Sequence, residues 1–170
     1  MRVYLNTFLI IIAMVCITIF VTTKPQETKL FNVKYKELTA EARKQVDCLA
    51  DNIYYEAGYE PDDGKLAVAL VTINRTQDPR FPKDICSVVK QKVNLLCQFS
   101  WFCEGIKTKK HDVYAKSKEI AIFTYVNYEM LDDITNGALY FHADYINPNW
   151  KLKKTKVIGR HIFYKEGRNI

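Results

Sequence analysis

Residues 52–75 read NIYYEAGYEPDDGKLAVALVTINR, and the reading of this stretch decides the fold. Its first part closes a helix that begins near Thr39, in which Val46, Leu49, Ala50, Ile53, Tyr54 and Ala57 recur at helical spacing. Gly58 is expected to stop that helix in a left-handed conformation. Pro61-Asp62-Asp63 then opens a second helix with acidic residues at its positive end. The middle of the second helix, Leu66 to Ile73, is apolar on every side, so it belongs at the centre of a domain.

On either side the pattern stays helix-rich. Asp78-Pro79 and Phe81-Pro82 mark breaks, followed by a short amphipathic piece carrying Ile85, Val88 and Val89. The aromatic run CQFSWFCEG (97–105) is too short to assign. Residues 112–131 predict a third long helix. ALYFHADYIN (138–147) reads as a strand and turn, and Thr155 to Tyr164 as a second strand that can pair with it. The sum is an α+β, helix-rich domain with a small sheet and no βαβ alternation.

Composition sets outer limits. The 170 residues are 48% hydrophobic and 26% charged, which excludes collagen-like and low-complexity classes. The net charge of +6 is concentrated: residues 24–150 are nearly balanced, whereas 151–170 carry seven basic residues and one acidic. Residues 3–21 hold no charge and are long enough to cross a bilayer as a helix. No small-residue cleavage site follows, so 1–23 are expected to form an uncleaved signal anchor rather than a cleaved signal peptide. Residues 24–38 read as a linker, and the body, 39–170, is placed outside the cytoplasm.

Four cysteines follow that segment: Cys48, Cys86, Cys97 and Cys103. An even number beyond an export signal predicts two disulfides, with three connectivities open. A zinc site competes poorly, because no C-x-x-C pair is present and His111, His142 and His161 are scattered. No cofactor and no metal are expected. An exported domain meets little nucleic acid and none is expected as a partner, so the lysines at 151, 153, 154 and 156 are read as a solvated loop or as a surface for anionic envelope polymers.

The candidate for chemistry is Glu56. On a helical wheel it falls between the apolar stripe and the solvent face, the position of a cleft wall. The helix C-terminus, the nearby Glu60, Asp62 and Asp63, and the bulk of Tyr54 and Tyr55 are each expected to raise its pKa. A glutamic acid kept protonated near neutrality can act as general acid in glycoside cleavage.

Five blocks then occur in order: NIYYEAGYEPDDGKLAVALVTINR, DPRFPKDICSVV, CQFSWFCEG, ALYFHADYINPNW and IGRHIFY. Together they resemble the SleB/CwlJ-type cell-wall hydrolase family across roughly residues 46–164. The resemblance implies a lysozyme-like fold, peptidoglycan glycan strands as partner, lytic transglycosylase chemistry and Glu56 as its essential glutamate. Where the family usually has Glu-Ala-Arg-Gly-Glu, this chain has Glu56-Ala57-Gly58-Tyr59-Glu60.

Gln98, Ser100 and Trp101 are candidates for the glycan groove, with Phe99 and Phe102 assigned to the core. Tyr140 and His142 share one face of their strand, which the resemblance places beside the cleft. His161 is assigned a structural role, and Asn74-Arg75 a capping and local pairing role. Hydrolysis by a muramidase, with Glu60, Asp63 or Glu104 as second carboxylate, is the alternative chemistry. An amidase or a non-catalytic wall-binding module ranks lower. A bacterial envelope remodeller and a phage lysis protein would share all these features.

Overall fold

The computed structural model describes residues 30–105 and 108–167. The expected anchor, residues 3–21, lies outside them. Among the described residues no helix is long and apolar enough to cross a membrane.

Helix α1 spans Ala40–Ala57, and the Thr39 hydroxyl caps it by accepting from the Ala42 amide at 3.1 Å. Its stripe of Val46, Leu49, Ala50 and Ile53 is fully buried. Helix α2, Asp62–Gln77, is covered along nearly its whole length, as its all-round apolar middle requires. The short α3 (Ile85–Val89) and the long α5 (His111–Asn127) pack on this pair, with α4 (Ser100–Glu104) between them in sequence. A 3-10 turn, Tyr128–Met130, completes the third long helix.

Gly58 does end α1, but at φ −56° it is right-handed, so left-handed freedom is not what requires glycine there. A Cβ would press on the Tyr54 carbonyl oxygen and lie 3.1 Å from Cγ1 of Val113 on α5. Close helix packing makes the position small.

Residues 31–38, assigned from sequence to the linker, carry specific contacts. The Phe31 amide donates to Asn127 Oδ1, and the Tyr35 hydroxyl donates to Asp47 at 2.7 Å.

The sheet departs from expectation in one respect. The stretch expected as one strand is a hairpin, β4 (Lys153–Ile158) and β5 (His161–Lys165), in a sheet of order β3-β5-β4 with β3 at Tyr140–Ala143. Gly159, at φ 56°, takes the tight turn, and all pairs are antiparallel. Lys153, Lys154 and Lys156 therefore lie on an edge strand and not in a loop, where exposed lysines discourage pairing with another chain. Phe141 and Phe163 face inward and join Ala67 and Val71 of α2 in a small second core. A separate hairpin, β1 (Lys92–Val93) and β2 (Leu96–Cys97), precedes α4.

Two disulfides form among the described residues. Cys48–Cys86 ties α1 to α3, and Cys97–Cys103 closes the short loop from β2 through α4.

Candidate active site

Glu56 is half-buried in the last turn of α1, between two depressions. The larger is a cleft of about 540 Å³ whose walls come from α1 (Tyr55, Glu56), α4 (Ser100, Trp101, Glu104) and the end of the sheet (Phe141, His142, His161). Tyr145 and Ile146 of the following loop form its rim. The smaller, about 330 Å³, runs along Tyr54 to Glu60. Glu56 is thus reachable along a path longer than one pocket, the shape an extended substrate needs.

Burial pushes the Glu56 carboxyl up to about 7, against the opposing charge of Arg75 and with a smaller push from Glu104. The direction agrees with expectation, as does desolvation as a cause, but the acidic neighbour that adds to it is Glu104 and not Glu60, Asp62 or Asp63. Glu60 is committed elsewhere: its Oε2 accepts from the Arg160 amide at 2.9 Å, and a Cβ at Gly159 would collide with the same oxygen. Asp62 pairs with Lys116 at 3.1 Å. These acids clamp neighbouring segments; the second carboxylate in the cleft is Glu104.

The Arg75 carbonyl, with that of Asn74, accepts the closing Asp78 amide of α2, but the Arg75 side chain does not cap the helix. It is 5% exposed, its Nε–H donates to the Leu139 carbonyl at 2.8 Å, and its guanidinium lies over the rings of Phe99, Phe81 and Tyr140 at 5.1–5.9 Å. Burial lowers its pKa to about 10, and it remains a cation at neutral pH. One guanidinium nitrogen, Nη1, is buried without a hydrogen-bond partner. A cation held in this way limits how far burial can raise Glu56. Asn74 has the local pairing role, donating to Asp133 and to the Ala138 carbonyl.

The other candidates separate. Ser100 is exposed and Trp101 buried, and both line the cleft. Trp101 is 8% exposed, stacks on Tyr55 at 4.6 Å, and donates through Nε1–H to Asn52 Oδ1. Asn52 in turn donates to Thr72 of α2. The indole is a fixed wall rather than an open stacking platform. Gln98 is exposed and Tyr140 reaches out to Glu166 at 3.1 Å; neither lines the cleft. Phe99 is core, as expected.

His142 lines the cleft but both its nitrogens are engaged, Nδ1 with the Ala143 carbonyl at 2.8 Å and Nε2 with the Tyr164 hydroxyl at 3.0 Å. His161 also lines the cleft, a placement that its assignment to a structural role missed. Among the described residues no group of three or more His, Cys, Asp and Glu is arranged to hold a metal ion.

A helical domain with a small antiparallel sheet, and a carboxylic acid of raised pKa on the wall of an open cleft, defines a candidate acid–base site. Residues 59–164 match the cell wall hydrolase family, and the chain belongs to that family, the one its five sequence blocks resemble. The match starts three residues after Glu56.

The chain is 29% identical over 135 residues to the spore cortex-lytic enzyme of Bacillus subtilis, and 29% over 125 residues to that of Halalkalibacterium halodurans. These alignments cover 72% and 69% of this chain but only 38% and 34% of the relatives, so the chain corresponds to little more than a third of their length. Among solved structures, the catalytic domain of the germination-specific lytic transglycosylase SleB from Bacillus anthracis superposes with a TM-score of 0.58 at 26% identity. It covers 72% of this chain and 95% of that one. The catalytic domain of the Bacillus cereus SleB protein shares the fold, with a TM-score of 0.56 at 24% identity, over 84% of this chain and 100% of that one.

Proposed function

We propose that this chain cleaves the glycan strands of peptidoglycan as a lytic transglycosylase, with Glu56 as its catalytic acid and base. The observation that carries the reading is the half-buried Glu56 carboxyl, protonated up to about pH 7 and open to a cleft. The family, and the activity named for the Bacillus anthracis relative, support it.

Glu56 gives its proton to the glycosidic oxygen between N-acetylmuramic acid and N-acetylglucosamine as the C1–O bond breaks. The muramoyl C6 hydroxyl oxygen attacks C1. The carboxylate then takes the hydroxyl proton, which closes a 1,6-anhydro ring and returns Glu56 to its starting state. One carboxyl suffices for this cycle, whereas hydrolysis usually employs two. Ser100 and the walls of Tyr55, Trp101 and Phe141 bind the strand. The body works outside the cytoplasm, held to the membrane through residues 3–21.

Glu104 favours a second reading. It shares the cleft with Glu56 and is a free carboxylate in the sense that no described residue forms an ion pair with it, so it could activate water for hydrolysis. Mass spectrometry of products from purified peptidoglycan separates the two. The proposal expects anhydro-muramoyl ends, still formed by Glu104→Gln. Reducing ends, abolished by Glu104→Gln, would establish hydrolysis instead.

A further inference from the structure

We infer that His161 is a substrate-positioning residue: its Nε2–H, facing the Glu56 cleft, donates a hydrogen bond to an uncharged oxygen of the bound glycan. The inference rests on the glycan reading above and adds to it a residue that sequence reasoning assigned to structure.

The two cleft histidines contrast sharply. A histidine buried for structural reasons satisfies its nitrogens, and His142 does so on both sides. His161, paired with Ala143 across the sheet, does neither. It is 7% exposed, and its ring is held edge-on against Phe141 at 5.2 Å and Phe163 at 6.2 Å. Its Nδ1 is fully covered and has no hydrogen-bond partner. Nε2 also lacks a partner among the described residues, yet it is not one of the covered atoms, so it is the edge that reaches the cleft.

The tautomer follows from this arrangement. Burial lowers the His161 pKa, against the nearby carboxylates Glu60 and Asp144 and with a smaller push from His142, so the ring is neutral at pH 7. A neutral imidazole carries one N–H. A covered donor with no acceptor is costly, so the proton belongs on Nε2, where substrate or water can accept it. An uncharged donor suits a hydroxyl or acetamido oxygen, the groups that line a peptidoglycan glycan.

The ring is also fixed relative to Glu56. The turn just before it, Gly159-Arg160, is pinned on one side by Glu60 accepting from the Arg160 amide. On the other side, the Arg160 carbonyl accepts from the Asp144 amide at 2.8 Å. Glu60 lies four residues beyond Glu56, so its bond to the Arg160 amide ties the loop after the acid to the hairpin that presents His161.

The test uses His161→Phe, which keeps the ring volume without a donor, and His161→Gln, whose amide restores a donor near Nε2. Cleavage is measured on peptidoglycan. Binding of a soluble tetrasaccharide of alternating N-acetylglucosamine and N-acetylmuramic acid is measured by calorimetry in the Glu56→Gln background, with folding checked by thermal melts. The expected result for His161→Phe is a roughly three- to tenfold rise in KM and in the tetrasaccharide Kd with little change in kcat. His161→Gln should recover most of the loss. In the parent protein, the His161 imidazole resonances should shift on adding tetrasaccharide, and those of His142 should not.

Unchanged binding by a folded His161→Phe, or equal losses in both variants, would overturn the inference while leaving glycan cleavage standing. A parent protein that binds the tetrasaccharide through His161 but cleaves nothing would uphold the inference and overturn the proposed activity. Failure of the parent to bind or cleave would overturn both.

Discussion

In the proposed reading Glu56 carries the chemistry, because its environment opposes ionisation more strongly than Arg75 favours it. Two predictions belong to this residue. As a general acid it must be protonated, so kcat/KM should be flat on the acid side and fall about tenfold per pH unit above pH 7. A profile that rises through pH 7 would identify a base of another kind. The second prediction concerns stability. The folded pKa lies above the unfolded value of 4.5, so the native state binds more protons than the unfolded chain between pH 4.5 and 7, and stability is lost as pH rises through that window. Glu56→Gln should therefore leave stability unchanged at pH 4 and raise it at pH 8, by roughly 2 kcal/mol once water in the cleft has screened the charge. Denaturant unfolding at the two pH values checks this; equal effects at both would contradict the pKa argument. The border position of Glu56 was legible from helical spacing. The reason for its pKa was legible only in part: the bulk of Tyr54 and Tyr55 pointed to desolvation, whereas the partners that engage Glu60 and Asp62 come from β5's turn and from α5. That His142 is satisfied while His161 is not was hidden for the same reason: the Tyr164 hydroxyl that engages His142 comes from another strand.

Elements legible in the sequence are those with long periodic patterns, α1, α2 and α5. The short ones were not: a five-residue helix such as α4 has too few positions for a period, and it is held by its surroundings. Its supports are the Cys97–Cys103 bond and the Trp101–Asn52–Thr72 chain of hydrogen bonds, which join it to α1 and α2. The hairpin was missed because a two-residue turn at Gly159 barely interrupts a run of strand-forming residues. The disulfides act on different scales. Cys48–Cys86 spans 38 residues and Cys97–Cys103 six, so loop-closure entropy assigns them about 4 and about 2 kcal/mol. The double variant Cys48→Ala/Cys86→Ala should lose more stability in denaturant than Cys97→Ala/Cys103→Ala. The latter, which frees the wall bearing Ser100 and Glu104, should lose more kcat/KM at a temperature where both are folded. The reverse ordering of either effect would contradict these roles.

At the scale of the molecule, the helical core and the sheet meet at α2, which packs Val68, Leu70 and Ile73 among its buried side chains and sends Ala67 and Val71 to Phe163. The cleft opens where the end of α1 meets α4 and the sheet, and no single segment contains it. That is why no one of the five sequence blocks could locate it alone. Lys153, Lys154 and Lys156 lie on edge strand β4, at the opposite margin of the sheet order from β3, whereas the cleft lining includes the carboxyl groups of Glu56 and Glu104. The most direct test of the account is the rate of glycan cleavage by purified Glu56→Gln protein on peptidoglycan, beside the unmodified chain. The account predicts a folded variant that still binds the strands and cleaves them at least 10²–10⁴-fold more slowly; a variant that cleaves at the parent rate would show that the acid lies elsewhere.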